Sequence, residues 1–246
     1  MGHFQSKFLK NYDTQKLAEE YKKNSPVSHF VIDNFVEQEL LQQLRKEMLS
    51  IPAEKWKTFS RRKSRMFEFN QLEAYDLSVT QKISHLFSSS SFILWLENIT
   101  GITGLIADPH LTGAGFMRSF RGDSLKPHID FNWNDHLRLH RKLSVILYIP
   151  ENWEESWGGA LNFYNEDCSK VEKSILPMHG RLLTWAYSKW GFHGYPEPLN
   201  CPAEYSRDGI RFFYYSSNSS FMTDDPPHKS LYWYDPVNKL AYNLET

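Results

Sequence analysis

From Gly113 onward the chain breaks into short, largely apolar runs: GFMRSF, KPHIDF, KLSVILYI, ALNFY, RLLTWA and IRFFYYS. Runs of this length, separated by Gly, Pro, Asn or Asp, predict β-strands, and their regular spacing predicts an antiparallel sandwich or jelly roll. The first half has a mixed pattern. SHFVID (28–33) alternates like a strand, and Asp33 or Asn34 is placed to cap a helix through VEQELLQQLRKEML. In that segment Val36, Leu40, Leu41, Leu44 and Leu49 approximate helical spacing. A second helical stretch is predicted from Leu77 to Thr100, with the serine run 88–91 as a loop or helix end.

Composition narrows this picture. A chain of 246 residues with 41% hydrophobic and 15% aromatic content can build one sizeable core without disulfides or other covalent staples. The expectation is a single domain over 1–246, with a helical and strand lead-in (1–112), a β core (113–216) and a C-terminal extension (217–246). That extension carries Asp224-Asp225-Pro226-Pro227 and Tyr232-Trp233-Tyr234, which either pack back on the core or cover an opening. Lys and Arg number 28 against 29 Asp and Glu, so nothing suggests a polyanion partner and nucleic acid is disfavoured. Cys168 and Cys201 show neither metal-ligand spacing nor a disulfide framework. No apolar run approaches the ~18 residues of a membrane span, so a soluble, cytoplasmic protein is expected. A Met1-Gly2/Ser6 myristoylation pattern and glycosylation sequons at Asn98 and Asn218 are short enough to arise by chance.

The candidate chemistry lies in KPHIDF. On a strand, His128 and Asp130 leave the same face and can grip one cation. The leading third ligand is His193, which follows the RLLTWA strand. Two imidazoles and a carboxylate on one face of Fe(II) leave positions for a bidentate 2-oxo acid and dioxygen, and the presence of Asp130 favours hydroxylation over halogenation. With ten histidines in the chain an H-x-D tripeptide also arises by accident, so its surroundings carry weight. His136, His140, His179 and His228 read as surface residues and His110 as structural.

Those surroundings form an ordered set. After HIDF come RKLSVILYIPENW, Gly158-Gly159 with ALNFY, GRLLTW, the distal His193, and RDGIRFFYY. From His128 to Ser216 this series resembles the core of the prolyl 4-hydroxylase-like Fe(II)/2-oxoglutarate oxygenases, and LENITGITGLIADPHLTGAGFMRSFRGDSLKPH extends the resemblance upstream. It implies a mainly β, α+β fold with a double-stranded β-helix (jelly-roll, cupin-like) core. It also implies Fe(II), 2-oxoglutarate and O2 as cofactors, with ascorbate as an optional addition. The implied reaction is C–H hydroxylation of a peptide or small molecule with release of succinate and CO2; peptidyl proline follows from resemblance alone.

Carried over by position, His128, Asp130 and His193 would hold iron, Arg207 would pair with the 5-carboxylate of 2-oxoglutarate, and Tyr148 would hydrogen-bond it. Arg211, four positions on, competes with Arg207 as anchor. The loop HGYPEPLNCPAEYS sets His193 further from Arg207 than the family's usual spacing. Strand parity points Tyr148 inward with Ser144 and Ile146, while Leu143, Val145, Leu147 and Ile149 pack the other face. Arg118 and Arg141 read as salt-bridged surface or rim residues, Trp153 as packing a turn, Gly158-Gly159 as serving backbone geometry, and Asn132 and Trp133 as lining a substrate mouth. Trp190, Tyr195, Tyr232 and Trp233 could stack on a substrate, although core packing is the commoner use. The rival readings are a catalytically silent jelly-roll binding module, which would lack a ligand or the anchoring Arg, and a cupin-like metal enzyme that does not use 2-oxoglutarate. Oligomeric state is not legible.

Overall fold

Alternation along one long strand decides how the layers stack. In β8 (Leu139–Tyr148), Leu143, Val145 and Leu147 join the core beneath the helices, whereas Ile146 and Tyr148 join a second core. Both faces are buried. This is the parity that the sequence predicted.

The computed structural model describes residues 12–61, 64–217 and 225–233. Its larger antiparallel sheet runs in the order β1-β11-β8-β13-β5-β3-β2. These strands are β1 (His29–Ile32), β2 (Lys57–Arg61), β3 (Ser64–Phe69), β5 (Gly115–Ser119), β11 (Leu182–Ala186) and β13 (Arg207–Ser216), together with β8. Short strands β4 (Ile106–Ala107) and β7 (Trp133–Asn134) pair with β13 and β8. A smaller sheet runs β10-β9-β12-β6-β14, from Val171–Ile175, Leu161–Tyr164, His193–Tyr195, Leu125–Ile129 and Leu231–Tyr232. The two sheets make the double-stranded β-helix, and the space between them holds Ile146, Tyr148, Leu161, Phe163 and Tyr195.

Helices cover the outer face of the larger sheet. They are α1 (Thr14–Lys23), α2 (Gln38–Ser50), α3 (Ser78–Ser88) and α4 (Ser90–Thr100). Helix α2 buries Leu41, Leu44 and Met48, a spacing of three and four that makes one apolar stripe. Phe87 at the end of α3 stacks on Phe212 of β13, 4.6 Å apart and nearly parallel. Among the described residues no helix is long and apolar enough to cross a membrane.

Local details differ from the sequence expectation. Neither Asp33 nor Asn34 caps α2: Arg181 binds the Asp33 carboxylate, Asn34 sits at φ 53°, and the helix begins at Gln38. The stretch 77–100 is two helices, because Ser89 turns to extended backbone (ψ 149°) and its hydroxyl accepts from the amide of Phe92 to start the second. At the start of α3, Glu47 accepts from the amides of Val79 and Thr80, a cap supplied by the neighbouring helix. Asn98 projects from α4, whereas Thr100 of its sequon is buried and bonded to the carbonyl of Leu96. Gly2, Ser6 and Asn218 lie outside the described residues.

Candidate metal centre

Two adjacent strands of the smaller sheet bring the ligand set together. His128 on β6 lies directly across from His193 on β12, and their rings are 4.5 Å apart. Asp130 follows β6. Its Oδ1 is 3.5 Å from Nε2 of His128 and its Oδ2 is 3.5 Å from Nε2 of His193. All three ligand atoms fall within 4.8 Å of one another. That separation suits one ion with bonds of about 2.0–2.2 Å.

Backbone carbonyls fix which imidazole nitrogen faces the centre. Nδ1 of His128 lies 3.0 Å from the carbonyl of Lys126, and Nδ1 of His193 lies 2.8 Å from that of Gly191. A carbonyl only accepts, so each Nδ1 carries the proton and each Nε2 presents a lone pair. Burial, with His128 beside it, lowers His193 to about 4 against the opposing pull of Asp130, which keeps the ring neutral at ordinary pH. Burial alone would raise Asp130, but Arg141, then His193 and His128, hold its carboxyl well below the usual range. An ionised carboxylate and two neutral imidazoles are the forms a divalent metal needs.

Arg141 corrects the sequence reading. It is fully buried rather than at the rim, donating to Oδ2 of Asp130 and to Oγ of Ser144, both at 2.8 Å, with its guanidinium over the Phe213 ring at 3.3 Å. Arg118 is ion-paired as expected, with Asp208.

Beside the triad, Tyr148 and Arg207 come together between the sheets. The Arg207 guanidinium donates from Nη2 to the Tyr148 hydroxyl (3.1 Å) and from Nε to the carbonyl of Gly159 (2.7 Å), and it lies over the Tyr195 ring. It is buried, yet no described carboxylate pairs with it. A buried cation without an acid is costly unless a ligand supplies one. Arg211 is differently placed. It donates to Glu68 and to the carbonyl of Gly113, so its charge is already answered. This donor set, three candidate metal ligands beside a buried cation with no anion among the described residues, fits iron and a dicarboxylate.

The longer loop after His193 is accommodated at Gly159. A Cβ there would come within 2.7 Å of Leu199 and 3.1 Å of Arg207, and the residue sits at φ 72°. Only glycine lets the loop and the guanidinium close over this turn. Trp153 packs the same turn, donating to the carbonyl of Gly158.

Residues 225–233 pack against the metal strand. β14 pairs with β6 and sets Tyr232 across from His128, their rings stacked at 5.1 Å. Asn132 lines neither cavity beside the triad. Instead its side chain bonds Asp225, the carbonyl of Pro226 and the amide of His228. Trp133 meets His140, which is buried, edge to face. His228 is also half-buried rather than superficial, its Nε2 lying 2.9 Å from the Tyr187 hydroxyl. His136 and His110 are exposed, with rings 5.1 Å apart. Trp190 is exposed beside Lys189, and Tyr195 is buried against Ser119.

The stretch that carries the triad, Tyr148 and Arg207 also matches a known family: residues 114–215 fit the description "2OG-Fe(II) oxygenase superfamily". Those residues are similar to that family's domain. Among curated proteins, prolyl 3-hydroxylase OGFOD1 of Mus musculus is 26% identical over 208 residues, 77% of this chain and 33% of its own length. The chain thus spans about a third of the curated relatives it matches. Among solved structures, a Trichoplax adhaerens prolyl hydroxylase in complex with a hypoxia inducible factor oxygen degradation domain peptide fragment superposes with a TM-score of 0.64. That match has 18% identity and covers 89% of this chain and 96% of that one. The epimerase SnoN in complex with Fe3+, alpha ketoglutarate and nogalamycin RO gives 0.57 at 11% identity, covering 89% and 85%. The chain therefore shares the double-stranded β-helix fold of these proteins.

Proposed function

We propose that this chain is an Fe(II)- and 2-oxoglutarate-dependent dioxygenase that hydroxylates a C–H bond, with a prolyl residue in a peptide as the favoured substrate. The observation that carries the reading is the convergence of His128, Asp130 and His193 within 4.8 Å beside a buried guanidinium with no acid partner among the described residues. When bound, the metal and 2-oxoglutarate together with O2 supply oxidative decarboxylation to succinate and CO2, with one oxygen atom passing to the substrate carbon. The chain's residues do the holding. His128, Asp130 and His193 would hold the ion from the protein side, and 2-oxoglutarate and O2 would take the remaining positions. Arg207 and Tyr148 orient the 5-carboxylate, because a guanidinium stays charged and offers a fixed fork. Apolar neighbours Leu125, Ile146, Leu161 and Trp185 line the same cavity and exclude water.

The peptide assignment is supported by the prolyl hydroxylases among the relatives and neighbours. SnoN shows that the same fold serves other substrates, so the fold alone does not choose. Anaerobic addition of Fe(II) and 2-oxoglutarate should produce a visible charge-transfer band, and His128→Ala or Asp130→Ala should abolish succinate formation. Metal binding without the band would favour a cupin-like enzyme or a silent binding module. Turnover surviving either substitution would reject these ligands.

A further inference from the structure

A second cavity, of about 140 Å³, also borders His128 and Asp130. Phe59, Phe131, Phe213 and Tyr232 wall it, and Glu68, Asp130 and Arg211 supply its charged groups. Pockets that engulf a drug-sized molecule hold roughly 300–1,000 Å³. A space this small takes one residue-sized group while the rest of the substrate stays outside, as a segment of a longer chain would. The walls suit a compact apolar ring, since the Phe59 and Tyr232 rings stack at 6.3 Å and Tyr232 stacks in turn on His128.

Arg211 is the unusual member. It lines both this cavity and the one holding Arg207, so it stands where the two meet beside Asp130. Its Nη2 is spent on Glu68 and Gly113, but its Nε is buried with no hydrogen-bond partner among the described residues. A buried donor left unpaired is costly and marks a place where an acceptor from outside is expected. Glu68 accepts from Arg211 through Oε1, and a carboxylate has lone pairs for a second donor. One donor and one acceptor side by side match the C=O and N–H of a peptide backbone.

Building on the oxygenase reading above, we propose that Arg211 and Glu68 determine specificity by holding one stretch of substrate backbone. Arg211 donates to a carbonyl and Glu68 accepts from an amide, so that the flanking compact side chain enters the aromatic cavity at the metal. Arg211 is therefore a substrate-positioning residue, and the anchor for 2-oxoglutarate is Arg207.

The test uses the full chain with Fe(II), 2-oxoglutarate and a library of capped hexapeptides with central proline and randomised flanks, read by mass spectrometry for gain of one oxygen. Arg211→Gln and Glu68→Gln should raise KM for the best peptide at least tenfold, leaving KM for 2-oxoglutarate and the charge-transfer band unchanged. Arg211→Lys should recover part of the loss. A merely structural pair would instead lower the melting temperature and kcat with peptide KM unmoved, overturning the proposal. Weaker 2-oxoglutarate binding in Arg211→Gln would also overturn it, by making Arg211 the cofactor anchor. Succinate formation with no peptide oxidised would reject backbone recognition while leaving the oxygenase reading standing. Absence of the band in the unsubstituted chain would instead count against the oxygenase reading itself.

Discussion

Two arginines four positions apart on β13 show how neighbours assign roles that residue type cannot. Arg211 faces Glu68, whereas Arg207 meets a phenol, a carbonyl and an aromatic ring and lacks a described anion. Arg207→Met should therefore raise KM for 2-oxoglutarate by on the order of 10- to 100-fold, the range for losing charged hydrogen bonds, in steady-state succinate assays. Unchanged KM would remove Arg207 from the site. Arg141 has a different task, since it bonds the carboxylate that would hold the metal. Asp130 is depressed in the fold, so its ionised form is held above the ordinary carboxylate value of 3.8 and lost only as pH falls through a still lower one. Removing Arg141 raises that lower value. Arg141 also lowers His193, so Arg141→Met should raise both groups and make metal binding fail at a higher pH than in the unsubstituted chain, measured by calorimetry across an acid series; coincident profiles would show that Arg141 tunes neither. The sequence disclosed the triad because period-two alternation put His128 and Asp130 on one face. Arg141 was hidden because the register of β8 against β13 shifts between Tyr214 and Tyr215, skipping Lys142. That bulge breaks the alternation, so Arg141 shares a site with Ser144, which strict parity would forbid.

At the scale of elements, the strand runs after Gly113 were legible and the irregular segments were not. Each core strand is apolar enough to announce itself. The C-terminal segment offered only Pro and aromatic residues, and its place was undecided because its partners, Asn132 and Tyr187, lie far away in sequence. In the fold those partners tie residues 225–228 beside the metal strand through Asp225 and His228. Burial lowers His228, but the bond and charge of Asp225 together with the Lys229 carbonyl raise it on balance; burial raises Asp225, but His228, Tyr187 and Asn132 together lower it. A raised histidine stabilises below its ordinary value of 6.5 and ceases to do so as pH climbs through the raised one. A depressed aspartate stabilises above 3.8 and fails only below its lowered value. The segment should thus be best protected in mildly acidic solution and loosen as pH rises past neutrality. Hydrogen exchange of residues 225–233 between about pH 5 and 9 would show this, after correction for the intrinsic pH dependence of exchange; uniform protection would mean that the pair does not govern docking.

At the scale of the molecule, the larger sheet separates two jobs. Its outer face meets α2, α3 and α4 through Leu143, Val145, Leu147 and Phe212, while its inner face presents Ile146 and Arg207 to the cavity, with Tyr148 bonded to Arg207. Because side chains alternate along a strand, packing on one face and ligand geometry on the other share a backbone but few contacts. A defect in the helical layer should then weaken the fold without retuning the site. Phe87→Ala removes a fully buried ring stacked on Phe212, a loss of about 3–5 kcal/mol on the scale of large core truncations. Denaturant unfolding should register that loss, while KM for 2-oxoglutarate in the folded fraction stays within twofold. A matching rise in KM would mean that β13 transmits helix packing to Arg207, and that the sheet behaves as one rigid body rather than as a partition between stability and chemistry.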